Sequence, residues 1–389
     1  MATVRKRVWA SGGVQREAWI ADYFDANAKR RLKTFKRKKD ADAWLARTQH
    51  ELGEGIHTPA STSKTVAELG TDWLAHCERE GHEKSTRRQR GQHLDLHICP
   101  FLGREKLADL TAPMIHRFVD QLRDGGRSLA MRRKVLTSLK TMLTYAQGRG
   151  MVAQNVARGV RIKADTRAET DHIVQSGTTM PTKDEMRQML DAATAPRWRA
   201  FMAVAIFTGL RSSELRGLRW DDVDIDAGRL SVRQRADFEG NIGRVKSKAG
   251  ARDVPLMPLV VNALRTWKLT CPMGDADLVF PNKLGKPALH SNIIRRFFGP
   301  LQVRLGISNP TGKVDDEGEP IIRARYGLHA LRHGAASLFI EQGWSPKKVQ
   351  TVMGHSSITM TFDRYGHLFA DPDEGEAMKR MEAAFLATG

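Results

Sequence analysis

The sequence predicts a multidomain α+β protein. It reads as a small β-rich N-terminal module, a helical bundle, and a mainly α third domain carrying a small antiparallel sheet. Three observations lead there. The chain has 389 residues, more than one ordinary core organises. Hydrophobic residues make up 41%, enough for real cores and too many for a disordered chain. The apolar periodicity also breaks twice, at turn-rich stretches over 58–64 and 164–182.

Residues 1–57 form the first module. "EAWIADYF" mixes aromatic and branched residues and reads as a strand, "DANAK" as a turn, and "RRLKTFKRKK" as the returning strand. "DADAWLARTQHEL" then places Ala43, Trp44, Leu45 and Leu52 at helical spacing, and "GEGIHTP" ends it. After the linker at 58–64, residues 65–163 carry four helical patterns. Val66, Leu69, Trp73 and Leu74 share one face, "STRRQRGQHLDLHI" opens on a Ser-Thr cap, and "TAPMIHRFVDQLRDGG" runs from a proline start to a Gly-Gly stop. The fourth has an apolar stripe through Val135, Leu139 and Met142, with Arg132, Arg133 and Lys134 at its edge. A second linker spans 164–182. The third domain, 183–370, alternates helices with short strands. "GRLSVRQRADF" and "ARDVPLMP" read as strands around a "KSKAG" turn, and a tail of 371–389 follows.

The net charge is +19, spread as +6 over 1–63, +7 over 64–180 and +6 over 181–389. A distributed excess fits a long polyanion such as duplex DNA better than a single solvated tail. The basic side chains expected to touch it are Arg30, Arg31, Lys33 and Lys36 in the first module. Arg87, Arg88, Arg90, Arg132, Arg133 and Lys134 are expected to do so in the bundle, and Lys248 in the third domain. The longest apolar run, "FMAVAIF", is far below the roughly 20 residues of a membrane span, so no membrane role is expected. The opening "MATVRKRVWASGG" lacks the apolar stretch of a secretory signal. Cys77, Cys99 and Cys271 form no CxxC pair and read as thiols of a reducing cytosol.

Chemistry concentrates in four segments of the last third. "TGLRSSEL" puts Arg211 just ahead of a helix start, a poor place for a cation unless an anion joins it, with Glu214 placed to hold the guanidinium. "VKSKAGARDVPL" offers Lys246 and Lys248 on an expected hairpin tip. "HALRHG" sets His329, Arg332 and His333 on one helical face. The i,i+4 histidines imitate the HExxH spacing, but Ala330 stands where that motif needs glutamate, so zinc is not expected. Finally "MGHSSITMTFDRY" brings His355 and, ten residues on, Tyr365, whose polar neighbours suggest an exposed side chain.

Together "TGLRSSEL", "HALRH", "MGHSS" and the Thr361–Tyr365 spacing resemble the tyrosine recombinase, or phage integrase, family over roughly 180–370. The departures are small: Met353 stands where leucine is usual, and Gly334 where serine or threonine is common. The resemblance makes the three domains an arm-binding-like module, a core-binding bundle and a catalytic domain. It implies a metal- and ATP-independent phosphoryl transfer with no cofactor. Tyr365 would form a 3′-phosphotyrosyl bond, and Arg211 and Arg332 would clamp the phosphate oxygens. His355 would bond one of them, His329 would assist the tyrosine's proton, and Lys246 would protonate the leaving 5′-oxygen. Lys248 is the alternative, and Glu214 and His333 support the site. The implied task is integration of a prophage or mobile element at double-stranded attachment sites. It would act as a homo-tetramer passing through a Holliday junction, in the cytoplasm on DNA. A host DNA-bending protein and a directionality factor are further partners such a system uses. Resolution of chromosome dimers, transposon excision, and a catalytically silent DNA-binding protein are the alternatives. The tail, with Met378, Met381, Phe385 and Leu386 at helical spacing, would dock on a neighbouring protomer.

Overall fold

The computed structural model describes residues 2–12, 14–25, 28–55, 57, 63–163, 174–245, 247–369 and 374–387. The chain divides into two compact units, Met1–Ala168 and Glu169–Gly389.

The first unit opens with β1 (Thr3–Ser11), β2 (Val14–Phe24) and β3 (Arg30–Phe35), an antiparallel sheet in the order β1-β2-β3. Helix α1 (Lys38–Gly53) follows, and Ala21, Tyr23 and Leu45 form the small core beneath it. Strand β1 was not among the expected strands. Its residues from Arg5 to Ala10 are all exposed, so no inward-outward alternation marks it.

Helices α2 (Val66–Arg79), α3 (Lys84–His93), α4 (Cys99–Leu102), α5 (Ala112–Asp124) and α6 (Leu129–Gly148) make the bundle. Thr65 and Glu68 close a capping box on α2, and the Ser128 hydroxyl caps α6. Leu69, Ile98, Phe118, Leu139 and Met142 are fully buried at its centre. A wide π turn, Leu94–Ile98, precedes Pro100. It relieves the clash of the ring with the carbonyl four residues back, which a regular α turn would impose.

The second unit begins with α7 (Lys183–Ala192), capped by Thr182 and Glu185, and the deeply buried α8 (Pro196–Phe207). Short α9 (Ser212–Gly217) leads into β4 (Val223–Asp224), β5 (Arg229–Val232), β6 (Gln234–Ala236), β7 (Ile242–Arg244) and β8 (Arg252–Pro255). The antiparallel sheet has the order β4-β5-β8, and β6 and β7 form a separate hairpin inserted between β5 and β8. The two expected strands pair as β5 and β8, but the single "KSKAG" turn expected between them is corrected. The hairpin turns at Asp237–Asn241, so Lys248 lies past it in a single 3₁₀ turn rather than on its tip. Asp237 makes the earlier turn because its carboxylate accepts from the N–H groups of Glu239 and Asn241.

Helix α10 (Pro258–Lys268) packs on α8. Helices α11 (His290–Ile293) and α12 (Gly299–Arg304) are joined by a second π turn, Ile294–Phe298, ahead of Pro300. A ribbon that the sequence reading missed comes next, β9 (Ser308–Val314) and β10 (Pro320–Ala324). Val314, Ile321 and Ile322 are exposed on it, so it lacks a hidden face. The unit ends with α13 (Leu328–Glu341), α14 (Pro346–Met353), α15 (Ile358–Tyr365) and α16 (Glu374–Leu386).

The main core gathers around α8, α10 and α13, and a smaller cluster joins Val174, Met180, Ala336, Ile340, Val349, Met353 and Tyr365. Residues 174–182, expected as linker, are therefore partly built into this unit. Val174 and Met180 are apolar and buried, and Val174 O accepts from His367 Nε2 at 2.7 Å. Among the described residues no helix is long and apolar enough to cross a membrane.

Candidate active site

The site is assembled where three helix ends meet. Helix α8 stops at Thr208, whose hydroxyl turns back to Val204 O at 2.6 Å. Gly209 then takes φ +63°, and a Cβ there would lie 2.6 Å from Met353 Sδ. Only glycine satisfies both demands. The turn delivers Arg211 to the position just before α9. Glu214 accepts its backbone N–H at 2.9 Å and its Nη1 at 2.7 Å.

Helix α14 ends in an αL residue, Gly354, at φ +63° and ψ +44°. Its last carbonyls are each taken by a different arginine. Val352 O accepts from Arg252 Nε at 2.5 Å, Met353 O from Arg332 Nη2 at 2.5 Å, and Gly354 O from Arg211 Nη2 at 2.8 Å. Arg332 also donates to Gly209 O at 2.5 Å. A helix C-terminus is where orphan carbonyls and dipole both favour cations. Two of the expected catalytic arginines are thus fastened to the turn that carries His355.

Arg252 was not singled out from sequence. Its guanidinium is buried and bonds Glu214 Oε2 at 2.9 Å, so the carboxylate serves Arg211 and Arg252 together. Its strand "ARDVPL" alternates inward and outward, and that alternation is the signal that could have placed it inside.

Helix α13 presents His329, Arg332 and His333 over its first turns, and α15 supplies Tyr365. Tyr365 is only 1% exposed, against the expectation of an exposed side chain. Thr361 and Tyr365 are four apart on the inner face of α15, while Asp363 faces out, so the polar flanks never decided its position. The Tyr365 hydroxyl and His333 Nδ1 are 2.7 Å apart. His355 Nδ1 and Thr361 Oγ1 are 2.9 Å apart, and the His355 and Tyr365 rings lie nearly parallel with centroids 6.2 Å apart. The His329 ring stands edge-on to His333, centroids 4.8 Å apart.

These groups titrate far from their ordinary values. Burial, with Arg332 and Arg211 adding to it, pushes His355 down to about 3. Burial and the neighbouring His329 take His333 to about 3 as well. His329 keeps an exposed edge. Even so, burial of the remainder of its ring, with Arg332, Arg364 and Arg211 nearby, lowers it to about 4. Arg332 drops to about 9 through burial and the repulsion of Arg211, and so stays charged at neutral pH. Burial raises the Tyr365 phenol to about 12, against the pull of Arg332 and Arg364. Burial would raise Glu214 too, but Arg252 and Arg211 outweigh it and hold the carboxyl below its ordinary range.

A stability prediction follows from these signs. The unfolded chain's histidines take protons below about pH 6.5, while the folded ones stay neutral towards about 4 and 3. Glu214, depressed in the folded state, adds stability above its unfolded value that is lost as pH falls through its folded one. Thermal melts of the free protein should therefore show a steadily falling Tm from about pH 7 to about pH 4.5. A flat or rising Tm over that range would contradict the assignment.

Lys246 lies outside the described residues. Lys248 is exposed. Among the basic side chains expected on DNA, several are already engaged. Arg30 forks onto Asp22, Arg31 pairs with Asp25, Arg87 pairs with Glu78, and Arg90 lies over Trp73 with a bond to Cys77 Sγ. Lys33 lies over Trp44, and Arg132 is half-buried with its Nε in the interior. Lys36, Arg88, Arg133 and Lys134 are exposed.

Guanidiniums, imidazoles and a phenol gathered in one cluster have the chemistry to bind an oxyanion and present a nucleophile to it. The site's one buried carboxylate is spent on arginines. A family model described as the phage integrase family matches residues 180–371. An integrase of Streptomyces ambofaciens is 26% identical over 93% of this chain and 93% of its own length. The Tn1549 transposon integrase, solved in complex with a circular intermediate DNA, shares the fold with a TM-score of 0.63 at 20% identity, over 83% of this chain and 100% of that one. A lambda integrase tetramer bound to a Holliday junction gives a TM-score of 0.55 at 19% identity, over 90% of this chain and 93% of that one.

Proposed function

The chain belongs to the phage integrase family and is a tyrosine-type site-specific recombinase, and from that premise we propose that it integrates a prophage or other mobile element into DNA. The observation that carries the residue assignment is the joint fastening of Arg211 and Arg332 to the turn that bears His355, with Tyr365 beside it. In this reading Tyr365 attacks a phosphodiester, forming a 3′-phosphotyrosyl bond and releasing a 5′-hydroxyl. Arg211 and Arg332 hold the non-bridging oxygens, whose charge grows in the transition state, and arginine's planar fork suits two oxygens at once. His355 donates to one of those oxygens. Lys246 protonates the leaving oxygen, with Lys248 the second candidate. The bond energy is kept in the covalent intermediate, so the step runs without ATP.

Duplex attachment sites are the proposed partners, bound by a tetramer on paired sites, as the DNA-bound transposon and lambda integrases of the same fold suggest. Exposed Arg88, Arg133 and Lys134 are proposed as bundle contacts to phosphate. Met378, Met381, Phe385 and Leu386 stand exposed on α16, and we propose that they dock on a neighbouring protomer. The basic β-sheet module favours integration over dimer resolution, because it adds a second DNA-binding element beside the core-site grip.

The test uses the full chain and a nicked duplex bearing its core site. A covalent protein–DNA adduct should appear on a denaturing gel, without added metal or nucleotide. Lack of any adduct from intact, DNA-bound protein would sink the catalytic reading. Removing residues 1–62 should spare this cleavage and reduce integration by ten-fold or more, on the order of a lost accessory contact of 1.4 kcal/mol or above. Normal integration by the truncated chain would remove the arm role.

A further inference from the structure

Resting on that reading, we propose that His333, and not His329, is the base that takes the phenolic proton from Tyr365 when the DNA strand is cut. The resemblance to the family assigns this help to the first histidine of the "HALRH" box. The geometry points to the second.

Tyr365 is buried in an apolar cluster, and its hydroxyl has His333 Nδ1 at 2.7 Å. A general base must lie within hydrogen-bond reach of the proton it removes, about 2.6–3.2 Å between heavy atoms. The His329 ring is edge-on to that of His333, centroids 4.8 Å apart, and the hydroxyl's hydrogen bond goes to His333. His333 is neutral and the phenol protonated at neutral pH, the pair of states a base and its acid need before reaction. With the ring proton on Nε2, the hydroxyl donates to Nδ1, and the proton is already directed at its acceptor.

The charged and titratable groups facing His333 are His329 and Arg332 from its own helix and Arg364 and Tyr365 from α15. Burial is the first reason the ring resists protonation, and three of these groups, cationic or able to become so, add to it. A phosphate among Arg211, Arg332 and His355 would oppose that field and raise the basicity of His333 when a substrate is in place. The base would be switched on by the group it serves.

The step balances. The Tyr365 O–H bond breaks and its proton passes to His333 Nδ1. The phenolic oxygen forms the new bond to phosphorus, the P–O5′ bond breaks, and the 5′-oxygen takes a proton from the lysine proposed above. Rejoining runs in reverse, and His333 returns its proton to Tyr365.

The experiment is single-turnover adduct formation by the full chain on its core-site duplex, across pH, for wild type, His333→Gln and His333→Ala. Core-site binding and Tm are measured in parallel. The same series is run on a duplex with sulfur replacing the bridging 5′-oxygen, a leaving group that needs no acid. Expected are wild-type binding, adduct formation slowed by about 10²–10⁴-fold in both variants, partial rescue of His333→Ala by added imidazole, and no rescue by the sulfur leaving group. The low-pH limb of the wild-type rate should vanish in His333→Gln, leaving a rate that climbs with hydroxide. Adduct formation within about three-fold of wild type would overturn the proposal. So would recovery on the sulfur substrate, which would place His333 on the leaving-group side. An equal loss at every pH without imidazole rescue would also overturn it, since that describes packing alone. A wild type that forms no adduct fails the functional reading instead, so the two failures are told apart.

Discussion

Tyr365→Phe binds core-site DNA like wild type and forms no covalent adduct on any substrate: this is the largest effect expected in the molecule. The substitution removes one oxygen and keeps the ring, which packs among Val174, Ala336, Ile340, Val349 and Met353. The hydroxyl's hydrogen bond to His333 goes with it, a loss of about 1 kcal/mol in stability. Chemistry, by contrast, loses its nucleophile outright, and rates should fall below detection, by more than about 10⁴-fold. The two effects are separable because one oxygen serves both. A melt reads the first and a denaturing gel the second. A persistent adduct in Tyr365→Phe would mean another residue attacks the phosphate.

The second large effect is structural. Arg252→Met should destabilise the C-terminal unit by about 3 kcal/mol, the low end of the cost of orphaning a buried charge, because Arg211 still pairs with Glu214. The long apolar side chain of methionine fills most of the space but cannot answer Glu214 Oε2, Gly250 O and Val352 O. Adding Glu214→Gln should restore part of the loss, since the buried charge is then gone. Chemical denaturation of the single and double variants measures this as a cycle. A single-variant loss under about 1 kcal/mol would show that the ion pair carries little. The cycle also bears on the active site, because Arg252 holds the carbonyl two residues before Gly354. Loosening it should slow adduct formation even where the fold survives.

Much of this arrangement was legible before any coordinates. Arg211, His329, Arg332, His355 and Tyr365 sit in short boxes whose residue types carry their chemistry, and folding brings those boxes to one place. The amphipathic helices are equally plain, because residues such as Val135, Leu139 and Met142 repeat at helical spacing and are buried. What escaped was whatever lacks a one-sided pattern. β1 and the β9–β10 ribbon are exposed on both sides, so neither shows alternation. Arg252 is a charged residue on an inner face, contrary to the usual rule for arginine. The eight residues of α15 turn Thr361 and Tyr365 inward, and both look polar in the sequence. His333 reads from sequence only as a supporting residue, since nothing local tells which of two histidines will meet a tyrosine 32 residues away.

The β9–β10 ribbon divides the site in a way that the fold alone does not advertise. Glu214, Arg211 and Arg252 precede it in the chain, and His329, Arg332, His355 and Tyr365 follow it. Two strands by themselves contribute little to stability, and this pair hides neither face. The two sides are joined instead through α8 against α13 and through the arginines that grip the end of α14. A chain opened at the Asp315–Glu319 turn would thus yield two fragments, one holding Arg211, Glu214 and Arg252 and the other His329, Arg332, His355 and Tyr365. On the proposed roles neither fragment would carry a complete site, and their reunion would make strand exchange conditional on whatever brings the pieces together.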